Sequence, residues 1–270
     1  FFGIKRSGNH ATQNWILNQI PEDTCVFNQA GLGLNPINTN QFRVYQTEAL
    51  ALDGRRLTGA TYDGPVGNNS IFYTYENIEL SNIQDGIPMG NQNLSSLGSF
   101  DYNANIIVLR DPFNVLASLF KTYSATPAGN MIPAPSKYIS LWKSHAKEYL
   151  GITSFLKSEN TLKIPISYNA WFTSEEYRRS VSEKMNLEFS DAGLQYVNRF
   201  GEGSSFDKQK YVNDAQKMKV LTRWKQVQDT SGAWQTILNT LKGDKELMEY
   251  VTEIFDLESL EIVNKRGKFK

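Results

Sequence analysis

Gly3-Ile4-Lys5-Arg6-Ser7-Gly8 sets two glycines around four residues that include two cations and a hydroxyl. This spacing is the first half of a phosphate-binding loop, in which successive backbone N–H groups turn inward on an anion. The apolar run Phe1–Ile4 precedes the loop, and a helix candidate running from Ala11 to a stop at Pro21 follows it. A helix starting directly behind the loop turns its positive end on the same anion. The second half of the motif is absent. A nucleoside-triphosphate loop continues with Lys and then Ser or Thr, whereas Asn9 and His10 stand there. With no lysine for the terminal phosphates and no hydroxyl for Mg²⁺, the pattern argues against an ATPase, GTPase or ordinary kinase. It leaves a loop that holds a phosphate-like group without a metal, or else a plain strand–turn–helix corner with a glycine turn.

A second candidate lies past the apolar run Ile106-Ile107-Val108-Leu109, where Arg110-Asp111-Pro112 ends a strand. Ligands of open α/β sheets bind beyond the carboxyl ends of strands, which is where Arg110 falls. Ser118 shares a helix face with Asn114, four residues earlier. An arginine fork and a hydroxyl can clamp a phosphate. The other reading pairs Arg110 with a carboxylate and makes Ser118 a small packing residue.

These residues need elements to hold them. Beyond Phe1–Ile4 and residues 106–109, strand candidates are Ile71–Tyr75 and Leu162–Tyr168. Asp111 and Pro112 suit the N-cap and first position of a helix over residues 113–123. Pro127, Pro133 and Pro135 mark a loop. Ser136 then opens a helix over 137–150 that ends at Gly151. Its apolar stripe is Tyr138, Leu141, Trp142, His145, Ala146 and Tyr149, which makes His145 a core histidine. Thr173-Ser174-Glu175-Glu176 reads as a capping box for a helix to about Leu187. Residues 208–255 read as mostly helical, broken near Asp229–Gly232 and Gly243. Alternating strands and helices predict one α/β domain over residues 1–270, with a mainly parallel central sheet flanked by helices and the phosphate loop after the first strand.

Composition narrows the function. Lys+Arg and Asp+Glu are both 28, so bulk charge draws the chain neither to nucleic acid nor to acidic membranes. An anionic ligand must then be met by a local cluster. The single cysteine, Cys25, excludes an intrachain disulfide and a cysteine zinc cage, and suits a cytoplasmic setting. His10 and His145 alone are too few for a His-rich metal centre. No apolar run reaches the roughly 20 residues of a membrane span. The opening Phe1–Ile4, without a Met, reads as the end of a strand that begins upstream.

Taken in order, the Lys5-Arg6-Ser7-Gly8-Asn9 loop and the later Val108-Leu109-Arg110-Asp111-Pro112…Ser118 segment resemble the sulfotransferases that use 3′-phosphoadenosine-5′-phosphosulfate (PAPS). In that family a P-[KR]-S-G-T loop binds the 5′-phosphosulfate, and an R-x-P-x-x-x-x-x-S segment binds the 3′-phosphate. The resemblance extends to Tyr168 at a strand end, to Ser204 and Ser205 in a Gly/Ser loop, and to Arg223-Trp224-Lys225. Here Arg6 replaces the usual loop lysine and Asn9 the usual threonine. The R-K-G triplet that precedes the W-K segment is absent, and an overlay on Trp224-Lys225 puts Lys217 and Lys219 in its place.

The resemblance implies in-line sulfonate transfer from PAPS to a hydroxyl or amine, leaving adenosine 3′,5′-bisphosphate (PAP). The acceptor could be a small molecule, sugar, lipid or peptide, and no metal is required. Lys5 and Arg6 would stabilise the leaving phosphate. Glu76, just past the second strand candidate, would be the general base, with Glu79 and His10 as alternatives. Glu76 also reads as a solvated strand-end carboxylate, and His10 as a polar residue of a first helical turn. Trp171 and Phe172 fit either core or ligand wall. A nucleotide transferase with another donor, or a binding module without catalysis, would keep the same loop. Residues 28–70, 81–105 and 124–135 are expected to wall the acceptor.

Overall fold

Val108 and Ile107 are fully buried, as a strand covered on both faces requires. Each such aliphatic contributes roughly 1.5–3 kcal/mol on leaving water. The computed structural model describes residues 1–21, 24–27, 42–45, 70–84, 87–88, 102–124, 135–197, 204–208, 210–229 and 231–256. Its strands are β1 (Phe2–Gly3), β2 (Thr24–Phe27), β3 (Phe42–Tyr45), β4 (Ser70–Tyr73), β5 (Tyr75–Glu76), β6 (Ile83–Gln84), β7 (Ile87–Pro88), β8 (Ala104–Leu109) and β9 (Leu162–Ser167). The helices are α1 (Asn9–Leu17), α2 (Pro112–Ser124), α3 (Pro135–Leu150), α4 (Tyr168–Thr173), α5 (Glu175–Lys184), α6 (Ala233–Gly243) and α7 (Lys245–Ile254).

The central sheet has the order β5-β1-β8-β9, and its strands pair in parallel. The α/β expectation therefore holds. Side chains alternate across β8 and β9. Ile106, Val108, Ile164 and Ile166 share a core with Trp15 of α1, Trp171 of α4 and Val181 of α5. Leu109 packs with α2, α3, α6 and α7. Helices thus cover both faces. Two smaller sheets accompany this one: β2 between antiparallel β3 and parallel β4, and the antiparallel pair β6 and β7. Among the described residues, no helix is long and apolar enough to cross a membrane.

Several expected boundaries move, each for a local reason. The single strand expected over 71–75 divides at buried Thr74, so that β4 serves the smaller sheet and β5 the central one. Pro135 belongs to α3 as its first residue, where its missing N–H costs nothing. Ser174, not Thr173, caps α5 by accepting from Tyr177 N at 3.0 Å. That helix ends early because Asn186 adopts a left-handed φ of 54°. The N–H groups of Asn186 and Leu187 then close on Glu183 and Ser182 carbonyls. Residues 210–228 are turns and short 3₁₀ segments, not helix. Their backbone groups are taken by side chains from elsewhere: Asn114 donates to Leu221 O and accepts from Trp224 N.

His145 is fully buried on α3 with Nδ1 3.0 Å from Leu141 O, as its place on the apolar stripe implied. Burial pulls its pKa from 6.5 down to about 4. The unfolded chain therefore takes up a proton first. This group's contribution is intact above pH 6.5, falls as pH drops toward 4, and is then fully lost, a change on the order of 3 kcal/mol. Denaturant titrations across that window should show a flatter acid limb for His145→Gln than for the wild type.

Candidate functional site

The four strands of the central sheet each deliver a candidate residue at their carboxyl ends. Lys5 follows β1 after Ile4, Glu76 ends β5, Arg110 follows β8 and Tyr168 follows β9. The register is tight: Gly3 sits opposite both Glu76 and Val108. A Cβ on Gly3 would stand 2.2 Å from Asn9 Oδ1, so the strand must end in glycine for Asn9 to fold back beneath it. Asn9 Nδ2 donates to Ile4 O at 3.1 Å and to Glu76 Oε1 at 2.9 Å. One buried side chain thus ties the loop to the carboxylate.

The loop turns through left-handed conformations at Arg6 (φ 72°) and Gly8 (φ 88°), and Ser7 N donates to Ile4 O at 3.0 Å. Gly8 caps α1, so the helix begins directly at the turn. A Cβ on Gly8 would lie 2.1 Å from the Tyr168 ring. That ring cannot withdraw, being packed on Trp171 at 5.4 Å and Phe172 at 6.0 Å. Gly8→Ala combines a left-handed Cβ, about 1–2 kcal/mol, with overpacking of about 1–3 kcal/mol. Urea unfolding should show a loss of about 3 kcal/mol, together with a disturbed loop.

Arg110 is 1% exposed and ties the loop to the far wall. Its Nη1 donates to Arg6 O at 3.1 Å and its Nη2 to Val220 O, while the guanidinium lies 5.2 Å from the Tyr168 ring centre. Asp111 does not neutralise it by contact. That carboxylate caps α2 through Asn114 N at 2.8 Å and also accepts from the Asn114 and Asn169 amides. Burial pushes Asp111 up and Arg110 down. Arg223, also buried, donates to Ser204 Oγ at 2.7 Å and reaches Asp207 at 3.4 Å. Burial and the neighbouring Arg110 charge bring it down to about 10.

These groups surround a cavity of about 430 Å³, within the range of small-ligand sites. Lys5, Arg6, Gly8, Asn9, His10, Glu76, Arg110, Tyr168, Ser204, Ser205 and Arg223 all line it. Trp171 and Phe172 do as well, while Trp171 is also part of the core and Phe172 packs against it. Around this space Arg6 Nε, Arg110 Nε, Arg223 Nε and Ser205 Oγ are buried without a hydrogen-bond partner. Ser7 lies beneath the loop, fully buried, with its hydroxyl also unpartnered.

Other candidates lie elsewhere. Ser118 does not line the cavity: it is fully buried in α2, and its hydroxyl donates to Asn114 O at 2.8 Å, one turn back. Glu79 is exposed at the start of the 3₁₀ turn Leu80–Asn82. Lys217 is exposed and paired with Asp214, Lys219 is exposed, and neither lines the cavity, whereas Arg223 does. Gly201–Gly203 and most of the expected acceptor walls lie outside the described residues.

Sequence reasoning missed the apolar side of the cavity, Leu194, Tyr196, Val197 and Met218. They stand on irregular chain, where no periodicity marks them. Tyr123, and Tyr138 from the apolar stripe of α3, stand near the loop without lining the cavity. Their hydroxyls are 3.3 Å apart, and Lys5 Nζ is 5.9 Å from the Tyr123 ring centre. Burial, the Tyr123 hydrogen bond and the nearby Glu76 charge push Tyr138 up. Among the described residues no group of three or more His, Cys, Asp or Glu could hold a metal.

No family model and no curated protein matches the chain. Among solved structures, mouse sulfotransferase SULT7A1 complexed with PAP is similar over 93% of this chain and 86% of that chain, at 11% identity and a TM-score of 0.43. At that degree of likeness neither family nor ligand follows. What the side chains themselves build is a buried cationic cavity with an apolar flank, closed on one side by a glycine loop and a carboxylate.

Proposed function

We propose that the chain binds PAPS and transfers its sulfonate to a hydroxyl or amine acceptor. The observation that carries this reading is that three arginines, Arg6, Arg110 and Arg223, line one cavity, each with a buried Nε that has no hydrogen-bond partner. Buried guanidinium donors left open are costly, and they bring two like charges, Arg110 and Arg223, into mutual repulsion. A ligand with two separated phosphate groups satisfies both. The loop Lys5–Asn9 and the start of α1 suit a 5′-phosphosulfate. Arg110 and Arg223, with Ser204 and Ser205, suit a 3′-phosphate. The flank formed by Tyr168, Trp171 and Phe172 suits a nucleobase.

When bound, the donor supplies an S–O bond to its 5′-phosphate that breaks as the acceptor oxygen or nitrogen bonds to sulfur. Lys5, Arg6 and the loop N–H groups meet the charge that gathers on the departing phosphate oxygen. His10, in the first turn of α1 and lining the cavity, is our second donor to that oxygen. Glu76 receives the acceptor proton, held in orientation by Asn9.

Thermal unfolding tests the ligand. PAP at 100 times its Kd should stabilise the fold by about 2.7 kcal/mol, because it binds only the native chain. ATP with Mg²⁺ should shift the midpoint far less. Equal shifts, or a larger one with ATP, would favour a transferase with another donor. Labelled PAPS with a panel of acceptors then tests transfer.

A further inference from the structure

Glu76 closes β5, and the half-buried residue after it, Asn77, joins that strand to the loop. Asn77 N donates to Gly3 O at 3.1 Å, the rung of the parallel ladder that follows Tyr75 N on Phe1 O at 2.8 Å. The next rung of such a ladder would bring Lys5 N–H to the Asn77 carbonyl. That rung is made differently. Asn77 adopts a left-handed φ of 57°, and the chain beyond it sends Ile78 and Leu80 into a core with Phe2 and Ile107. Lys5 N donates instead to Asn77 Oδ1 at 2.9 Å. A side-chain oxygen thus does what a backbone oxygen does elsewhere in the ladder. Asparagine suits the place, because it enters the left-handed region more readily than most residues and carries an amide oxygen that accepts. The strand can therefore end at Glu76 while the Lys5 backbone stays tied to it. Asn9 makes a second tie, from the other end of the loop, directly to the Glu76 carboxylate.

We propose that Asn77 is a positioning residue that fixes Lys5 relative to Glu76 through the Lys5 backbone N–H. This rests on the sulfonate-transfer reading above. In that step the acceptor gives its proton to Glu76 as its oxygen or nitrogen bonds to sulfur. The electron pair of the breaking S–O bond goes to the 5′-phosphate oxygen, where Lys5 meets the charge. Glu76 and Lys5 thus serve the two ends of one displacement, and a small error in their relative placement slows the step. Lys5 N–H is already taken by Asn77, so Lys5 acts on the phosphate through its side chain, and the backbone that carries that side chain is what Asn77 holds. The nucleotide itself is gripped mainly by the arginines across the cavity. Loosening Asn77 should therefore cost turnover and leave nucleotide affinity nearly intact.

The test compares Asn77→Gly, which keeps the left-handed turn and removes the acceptor, with Asn77→Asp, which keeps both. Three quantities are read on the whole chain: turnover of labelled PAPS with the fastest acceptor of the panel, calorimetric binding of PAP, and amide hydrogen exchange at Lys5 by NMR. In Asn77→Gly, kcat should fall about tenfold while the Kd for PAP stays within about threefold of wild type. The Lys5 amide should exchange about tenfold faster, the loss of one hydrogen bond. Asn77→Asp should restore both the turnover and the protection. Full turnover in Asn77→Gly overturns the proposal. So does a PAP affinity that falls as far as kcat in both variants, which marks general support of the fold. An unprotected Lys5 amide in the wild type overturns it without any variant. Failure of the wild type to transfer sulfonate to any acceptor, with the Lys5 amide protected, overturns the functional reading itself and the proposal with it.

Discussion

Arg110→Ala is expected to lower PAP affinity by about 10- to 100-fold and to remove the preference for PAP over adenosine 5′-phosphate. Arg110 spends Nη1 and Nη2 on Arg6 O and Val220 O, which fixes the plane of the guanidinium, and leaves Nε open. A hydrogen bond from a charged donor is worth roughly 1.5–3 kcal/mol, the source of the fold range. Stability should change less than affinity. Removing the buried cation forfeits two carbonyl contacts but also relieves Arg223 of its neighbour's charge. Isothermal titration of both nucleotides against wild type and variant gives the preference directly. If the variant keeps the wild-type preference, the 3′-phosphate is held elsewhere. Arg223→Ala should weaken PAP in the same direction, because Ser204 then loses the donor that now reaches it at 2.7 Å.

The parts of this site legible in the sequence were those whose local chemistry matched their geometry. An unbroken apolar run, then arginine, then Asp-Pro, can only be a buried strand leaving through a capped helix. β8, Asp111 and α2 follow that reading, with Arg110 just past the carboxyl end of β8. The loop was legible because its two glycines mark places where a Cβ does not fit, Gly8 also at a left-handed turn, although the left-handed residue at Arg6 was not, since nothing in an arginine signals it. Tyr168 was misplaced on a strand because α4 is a short helix held by packing and by Ser167, whose hydroxyl accepts from Ala170 N at 3.4 Å. Residues 210–228 looked helical in composition, but their backbone is held by Arg110 and Asn114 from across the fold. Tertiary hydrogen bonds of that kind leave no local pattern. Ser118 shows the converse: its spacing from Arg110 suggested a clamp, and the hydroxyl turns back onto its own helix.

The larger effect is expected from Glu76→Gln, a fall in turnover of about 10²- to 10⁴-fold with PAP affinity unchanged. The substitution keeps an oxygen that can accept from Asn9 Nδ2, so the contact holding the loop at 2.9 Å survives. It removes only the capacity to take a proton. A structural role for the carboxylate would act differently: PAP binding and thermal stability would fall with turnover, because Glu76 is joined to the loop through Asn9 and lies in register with Gly3. Glu79→Gln supplies the matching control, since that carboxylate is exposed and outside the cavity, and full activity is expected from it. His10→Gln separates the remaining assignment. With Glu76 as base, His10→Gln reduces turnover by weakening stabilisation of the leaving oxygen, and by less than Glu76→Gln does. Full turnover in Glu76→Gln, with the larger fall found in His10→Gln instead, would move the base to the helix start and leave Glu76 as the anchor for Asn9.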